Sequence, residues 1–218
     1  MMELTGLEGQ LERTAASRSQ VYALLALAFG FPDEEFHGAI REGLLARSFV
    51  ELCKGLPYGV ASAVTADLAA AAEDYVEFES EYIRLFDVGA AGPPCPLYGG
   101  VYIGDRMKNM EDATRFYNFF ELRVSPEVRE LPDHITTELE FLHYLTFREA
   151  EQGQNGGDVA SLLRAERDFL ERHLCRWVPR MRVRLAKQKP APFFAALVDF
   201  AIAFFEADQA YAAATVGG

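Results

Sequence analysis

The chain has 218 residues, half of them apolar and a quarter charged, which is enough to bury a full core as one domain, or two at most. Its formal net charge of −12 argues against nucleic acid or an anionic membrane as the main partner and leaves a cationic partner open. The charge is uneven. Arg164 to Lys189 holds nine basic residues against three acidic ones, whereas residues 1–163 hold twelve against 27, so an acidic face and a basic C-terminal segment are expected. Cys53, Cys95 and Cys175 stand far apart with no Cys-x-x-Cys pair, which reads as free thiols in a reducing compartment. The apolar runs Val21 to Phe31 and Phe193 to Phe205 are too short to span a bilayer, and no secretory signal is apparent at the N-terminus, so a soluble, cytoplasmic protein is predicted.

Helical periodicity dominates the chain. Thr5 to Glu8 forms a capping-box pattern, and Tyr22, Leu25 and Phe29 keep helical spacing until Gly30 and Pro32, predicting a helix over about 6–29. Asp33 is placed to cap a short helix ending at Gly43, and Ser48 with Glu51 predicts another closed by Gly55. Ala61 to Phe86 is rich in alanine, lacks Gly and Pro, and carries Leu68, Tyr75, Phe78, Tyr82 and Leu85 on one stripe, predicting one long amphipathic helix. Asp87 to Gly100, with Pro93-Pro94-Cys95-Pro96 inside it, must be an irregular loop. The adjacent Leu97, Tyr98, Val101 and Tyr102 favour packing of that loop on the core.

Met110 to Leu122 follows as an aromatic helix with Asn109 as its cap, then a turn at Ser125-Pro126-Glu127. Pro132-Asp133 opens the most strongly periodic helix, with Asp133 as the expected N-cap and Ile135, Leu139, Leu142 and Leu145 facing inward. A glycine-rich tip at 153–157 precedes a helix capped by Asp158 and running through Trp177 to a break or kink at Pro179. The last helix starts at Pro192. Strand patterns and internal repeats are absent, so the expectation is all-α: a single-domain helical bundle over residues 1–218, with flexible loops near 87–100 and 152–158.

Two Glu-x-x-His pairs, Glu34 with His37 and Glu140 with His143, match the unit used twice in di-iron helical bundles, and a helical di-metal enzyme is the alternative reading. Against it, the first pair lies on a short capped segment and His143 falls on the flank of its helix. Hydrolase, P-loop and dinucleotide patterns are absent. No catalytic residue, metal or cofactor is therefore expected.

The remaining cluster carries a resemblance. Tyr82, Leu85 and Phe86 at a helix end, the proline loop, Pro132-Asp133-His134 opening a helix with Glu138 to Leu142, and the His173-to-Pro179 segment together resemble the TorD/DmsD/NarJ family of molybdoenzyme maturation chaperones. The resemblance runs from Arg18, Tyr22 and Leu25 to the C-terminal aromatic helix. Gly99-Gly100 and Glu121-Leu122 depart from it: relatives often place a Ser in the first and a Gly-Leu in the second. It implies a non-enzymatic cytoplasmic chaperone that holds the twin-arginine leader of a molybdenum oxidoreductase's catalytic subunit and assists cofactor insertion and assembly before export. The implied peptide-binding residues are Tyr82, Leu85, Phe86, Pro94, Pro96, Tyr98, Pro132, Asp133, His134 and Glu138. No nucleic acid and no membrane span are implied; homodimers are consistent with the family.

Overall fold

The computed structural model describes residues 2–89, 92–123 and 130–217, with side chains described from Gly9 onward. Among these the regular structure is helical: α1 (Met2–Phe29), α2 (Glu34–Arg41), α3 (Leu44–Lys54), α4 (Tyr75–Tyr82), α5 (Gly100–Ile103), α6 (Arg106–Phe119), α7 (Ile135–Gln154), α8 (Ala160–Arg172), α9 (Leu174–Ala186) and α10 (Pro192–Val216). None of the described helices is long and apolar enough to cross a membrane.

The long helices α1 and α7 lie against each other, and α8 joins α7 to α10. α10 is the apolar centre: Phe193, Phe194, Leu197, Phe200, Phe204 and Phe205 are all buried. Phe78 of α4 stacks on Phe194 with ring centroids 5.1 Å apart, and Tyr82 donates to the Phe29 carbonyl at 3.0 Å. The end of α4 is thus fixed to both the centre and the end of α1. Each aromatic side chain of this size buries about 150–250 Å², so this contact set dominates the core.

Inside that apolar frame sits one buried cation. Arg18 of α1 is paired with Glu149 of α7, Glu166 of α8 and Asp208 of α10, and all four side chains are buried. Tyr22 and Tyr58 donate to Asp208 at 2.5 and 2.6 Å, and Tyr211 presents its ring to the guanidinium at 5.1 Å. Three carboxylates around one guanidinium leave an excess of negative charge in a dry site. Burial pushes the Glu149 carboxyl up from 4.5 to about 8, with Arg18 opposing and Glu166 and Asp208 adding to the rise; burial raises Glu166 as well.

Several local expectations are corrected. The predicted 61–86 helix is two 3₁₀ turns (Ala61–Ala63 and Ala66–Ala69), followed by α4 and a π-helical turn over Ile83–Asp87. Alanines offer little area to bury, and in residues 61–74 Leu68 is the one fully buried side chain, so no amphipathic face holds a helix together there. Asp74 instead caps a new start by accepting from the Val76 and Glu77 amides. Ser48 lies inside α3, which begins at the left-handed Gly43 (φ 70) so that Leu45, Phe49 and Cys53 face inward. Asp105, not Asn109, caps α6 through the Lys108 amide. His134, not Asp133, is the N-cap of α7: its ring accepts from the Thr136 amide. Asp158 does accept from the Ala160 amide at the start of α8.

The long helix expected through Trp177 breaks at His173 (φ −119, ψ −99), and α9 continues through Pro179. Burial of Trp177, Val178, Met181 and Leu185 outweighs the one backbone bond that the proline removes. At the end of α6, Glu121 adopts φ 59. The Leu122 and Glu121 amides donate to the Tyr117 and Asn118 carbonyls. This is the left-handed Schellman closure that glycine fits most easily, so the helix end keeps that shape with a glutamate in it. Ser125 to Glu127 lie outside the described residues.

Arg18→Leu is expected to cost about 3–5 kcal/mol in urea unfolding, because it strands buried carboxylates. The native state binds the Glu149 proton more tightly than the unfolded chain does. This group's contribution is therefore fully present below pH 4.5 and is lost as pH rises toward about 8. Unfolding curves across that window should show a shallower decline for Glu149→Gln than for the wild type.

Candidate functional site

The end of α4 supplies the first wall of a groove of about 950 Å³. Tyr82 and Phe86 stand four residues apart and therefore share a face, with ring centroids 5.3 Å apart. The π turn that follows leaves the Leu85 carbonyl to accept from the Cys95 amide at 2.9 Å, tying the proline loop to α4. That loop is pinned again at the start of α7. The Ile135 amide donates to Leu97, the Gly99 amide to Asp133, and Tyr98 pairs with His134 as an isolated antiparallel bridge.

Close approach requires Gly100 and leaves little room at Gly99. A Cβ on Gly99 would lie 3.0 Å from the Trp177 ring, and one on Gly100 would lie 2.9 Å from both the Arg106 Cα and Asp133 Oδ2. The Asp133 carboxylate occupies the place under the turn, accepting from the Gly100 amide at 2.8 Å and from Asn109 Nδ2 at 3.4 Å.

The groove brings together Tyr82, Phe86, Pro96, Tyr98 and His134 from the predicted set. It does not bring the other five to its surface. Leu85 is fully buried core. Pro94 is half-buried outside the lining, and Pro132 accepts from Tyr117 Oη through its carbonyl. Asp133 and Glu138 are fully buried, Glu138 accepting from Trp177 Nε1 at 2.9 Å with His173 Nδ1 3.3 Å away. These residues stand behind the wall and set its shape.

Sequence reasoning missed the opposite wall. Ala23, Leu27, Gly30 and Phe31 of α1 and its end line the groove. Leu27 and Phe31 are 58 and 59 % exposed, and Phe31 sits edge-on to Tyr82 at 5.5 Å. Their signal was available: four residues apart and off the buried Tyr22-Leu25-Phe29 stripe. Three carboxylates, Asp87, Glu130 and Glu140, also line the groove, as does His143, which the periodicity placed on a flank. Arg106 is the one arginine or lysine among the lining residues, and it lies over the Tyr98 ring at 5.7 Å.

Tyr98 donates to Glu130 at 2.6 Å, and Glu130 lies 3.7 Å from His134 Nε2. Burial lowers the His134 pKa, with Glu130 and Asp133 opposing, so the ring is neutral near pH 7 and serves as a cap. The chemistry of the lining is an apolar trough with carboxylates on it, suited to a segment that carries apolar and cationic side chains together. The two Glu-x-x-His pairs are not assembled: His37 Nε2 faces the Ala72 carbonyl at 2.8 Å, and no group of three possible metal ligands occurs among the described residues.

Comparison with known proteins agrees with this fold. The family described as nitrate reductase delta subunit matches residues 51–182. The chain is 33% identical over 207 residues to the perchlorate reductase assembly chaperone protein of Dechloromonas aromatica (strain RCB), covering 92% of each chain. It is 40% identical over 109 residues to the selenate reductase assembly chaperone protein of Thauera selenatis, covering 49% of this chain and 56% of that one. It is 26% identical over 137 residues to the chaperone protein TorD of Vibrio cholerae serotype O1 (strain ATCC 39315 / El Tor Inaba N16961), covering 62% and 61%. The chain belongs to the nitrate reductase delta subunit family, the TorD/NarJ group that its sequence resembles.

Asp133→Ala should lower stability by about 1–3 kcal/mol, the cost of leaving the buried Gly100 amide unpaired. Hydrogen exchange at Gly100 should accelerate in the same variant; unchanged protection would show that the carboxylate does not hold the turn.

Proposed function

We propose that this protein is an assembly chaperone for the catalytic subunit of a molybdenum oxidoreductase, and that it holds the subunit's N-terminal leader in the α1–α7 groove. The relatives' names support the assembly role: the chain spans nearly the whole of a perchlorate reductase assembly chaperone. The observation that carries the leader reading is the groove lining, where exposed Leu27 and Phe31 stand with Asp87, Glu130 and Glu140. A twin-arginine leader has a cationic start followed by an apolar stretch. Its apolar side chains would be removed from water on Tyr82, Phe86, Pro96 and Phe31, at roughly 25 cal/mol per Å², while its arginines meet carboxylates through charge-assisted hydrogen bonds.

Occupying the leader in the cytoplasm delays export until the cofactor has been inserted and the subunit assembled. Release then requires moderate affinity, since the sequence carries no nucleotide-hydrolysis motif to drive it. Tyr98 and His134 line the groove directly. Leu85, Pro94, Pro132, Asp133 and Glu138 act in this reading by fixing the loop and the start of α7 rather than by touching peptide.

Calorimetric titration with a synthetic twin-arginine leader peptide of a molybdenum oxidoreductase tests the proposal. The wild type should bind it, and the Leu27→Asp/Phe31→Asp double variant should bind at least tenfold more weakly, a loss of about 1.4 kcal/mol or more. Glu130→Lys/Glu140→Lys should weaken the arginine-bearing leader more than a form with both arginines replaced by glutamine. Failure of every leader form to bind the wild type would overturn the leader assignment.

A further inference from the structure

The basic segment of the sequence is not absorbed by the groove. Residues 174–189 carry Arg176, Arg180, Arg182, Arg184, Lys187 and Lys189 with no acidic residue, in a chain whose net charge is −12. Successive positions on an α-helix turn by about 100°, so Arg176, Arg180, Arg184 and Lys187 fall within one strip about 80° wide. All four are exposed. Val183, 63 % exposed, lies about 20° beyond the edge of this strip. Arg182 points away from it and is neutralised by Asp199 at 2.5 Å.

The strip runs along the back of the groove's loop. Arg180 donates to the Tyr102 carbonyl at 2.9 Å, and Arg184 stands over the Tyr102 ring at 6.0 Å. That ring stacks on Trp177 with centroids 5.6 Å apart and planes 13° from parallel. Val101, the residue before it, faces the groove. One short helical turn thus has the groove on one side and the cationic strip on the other.

Resting on the leader reading above, we propose that this face of α9 is a second docking surface, and that it takes an acidic segment of the same client subunit. The strip is about 17 Å long at 1.5 Å per residue. Its charges are spaced at about 6 Å, as i,i+4 neighbours are. That spacing matches carboxylates four apart on a client helix, or two apart on a client strand at about 3.3 Å per residue. The exposed apolar Val183 beside it fits a polypeptide better than a phosphate polyanion, which would also approach against the chain's net negative field. A client engaged at both faces is held by two linked contacts, so its complex is tighter than the leader alone.

The test uses Arg176→Glu/Val183→Asp/Lys187→Glu, three positions that spare Arg180, Arg184 and the Tyr102 contact, against the wild type. The variant should bind leader peptide within twofold of wild type. It should bind the complete catalytic subunit at least tenfold more weakly, with a flatter salt dependence, because exposed charge pairs are screened over about 10 Å at 0.1 M salt. Unchanged subunit affinity overturns the proposal, as does an equal loss for leader and subunit, or lost binding to single-stranded RNA with the subunit unaffected. If the leader fails to bind the wild type while the variant still loses the subunit, the groove assignment falls and the α9 surface stands.

Discussion

Everything in this molecule depends on how α1 and α7 are held side by side, and the clamp is the ion cluster around Arg18. A guanidinium stripped of water is stable only when its donors are all met. Here Glu149, Glu166 and Asp208, from three other helices, give each of its three nitrogens a carboxylate partner. The same pair of helices, farther along, presents Leu27, with Phe31 just past the end of α1, on one side and Thr136, Glu140 and His143 on the other. Fixing the charged end fixes the width of the groove at the other, so a polar device in the core sets the geometry of an apolar surface.

The third wall is a loop, and its order comes from local hydrogen bonding. A stretch with three prolines has few amide donors. Cys95, Leu97, Gly99 and Gly100 nevertheless each contribute a backbone bond to the π turn after α4, to the start of α7 or to the Asp133 carboxylate. The π turn at Ile83–Asp87 matters for the same reason, since its irregular ladder leaves the Leu85 carbonyl for Cys95. Rigid placement of Pro96 and Tyr98 lowers the entropy lost when a ligand is bound.

Much of this was legible in the chain. Periodicity gave α1, α7 and α10 because their apolar faces are long, and the resemblance brought Tyr82, Phe86, Tyr98 and His134 to one place from distant segments. The alanine-rich 61–74 region misled because helix propensity without an apolar face does not form a helix here. Asp133 misled in detail: carboxylates commonly cap helices, but this one is drawn under Gly100 by the loop, leaving the cap to His134. The α1 wall was missed because Leu27 and Phe31 read as ordinary members of an apolar run. Only packing shows that Tyr22, Leu25 and Phe29 are buried while these two are not. The partners of Arg18 could not be paired from sequence, since they lie more than a hundred positions away.

The half-exposed Leu27 and Phe31 have a colloidal consequence as well. An unoccupied trough of this kind is an adhesive patch, and every copy of the protein carries one. The carboxylates on its lining, within a chain of net charge −12, make two such troughs repel each other while leaving a cationic segment free to approach. In the proposed role, the charge that would select the leader therefore also keeps the empty protein from being its own competitor.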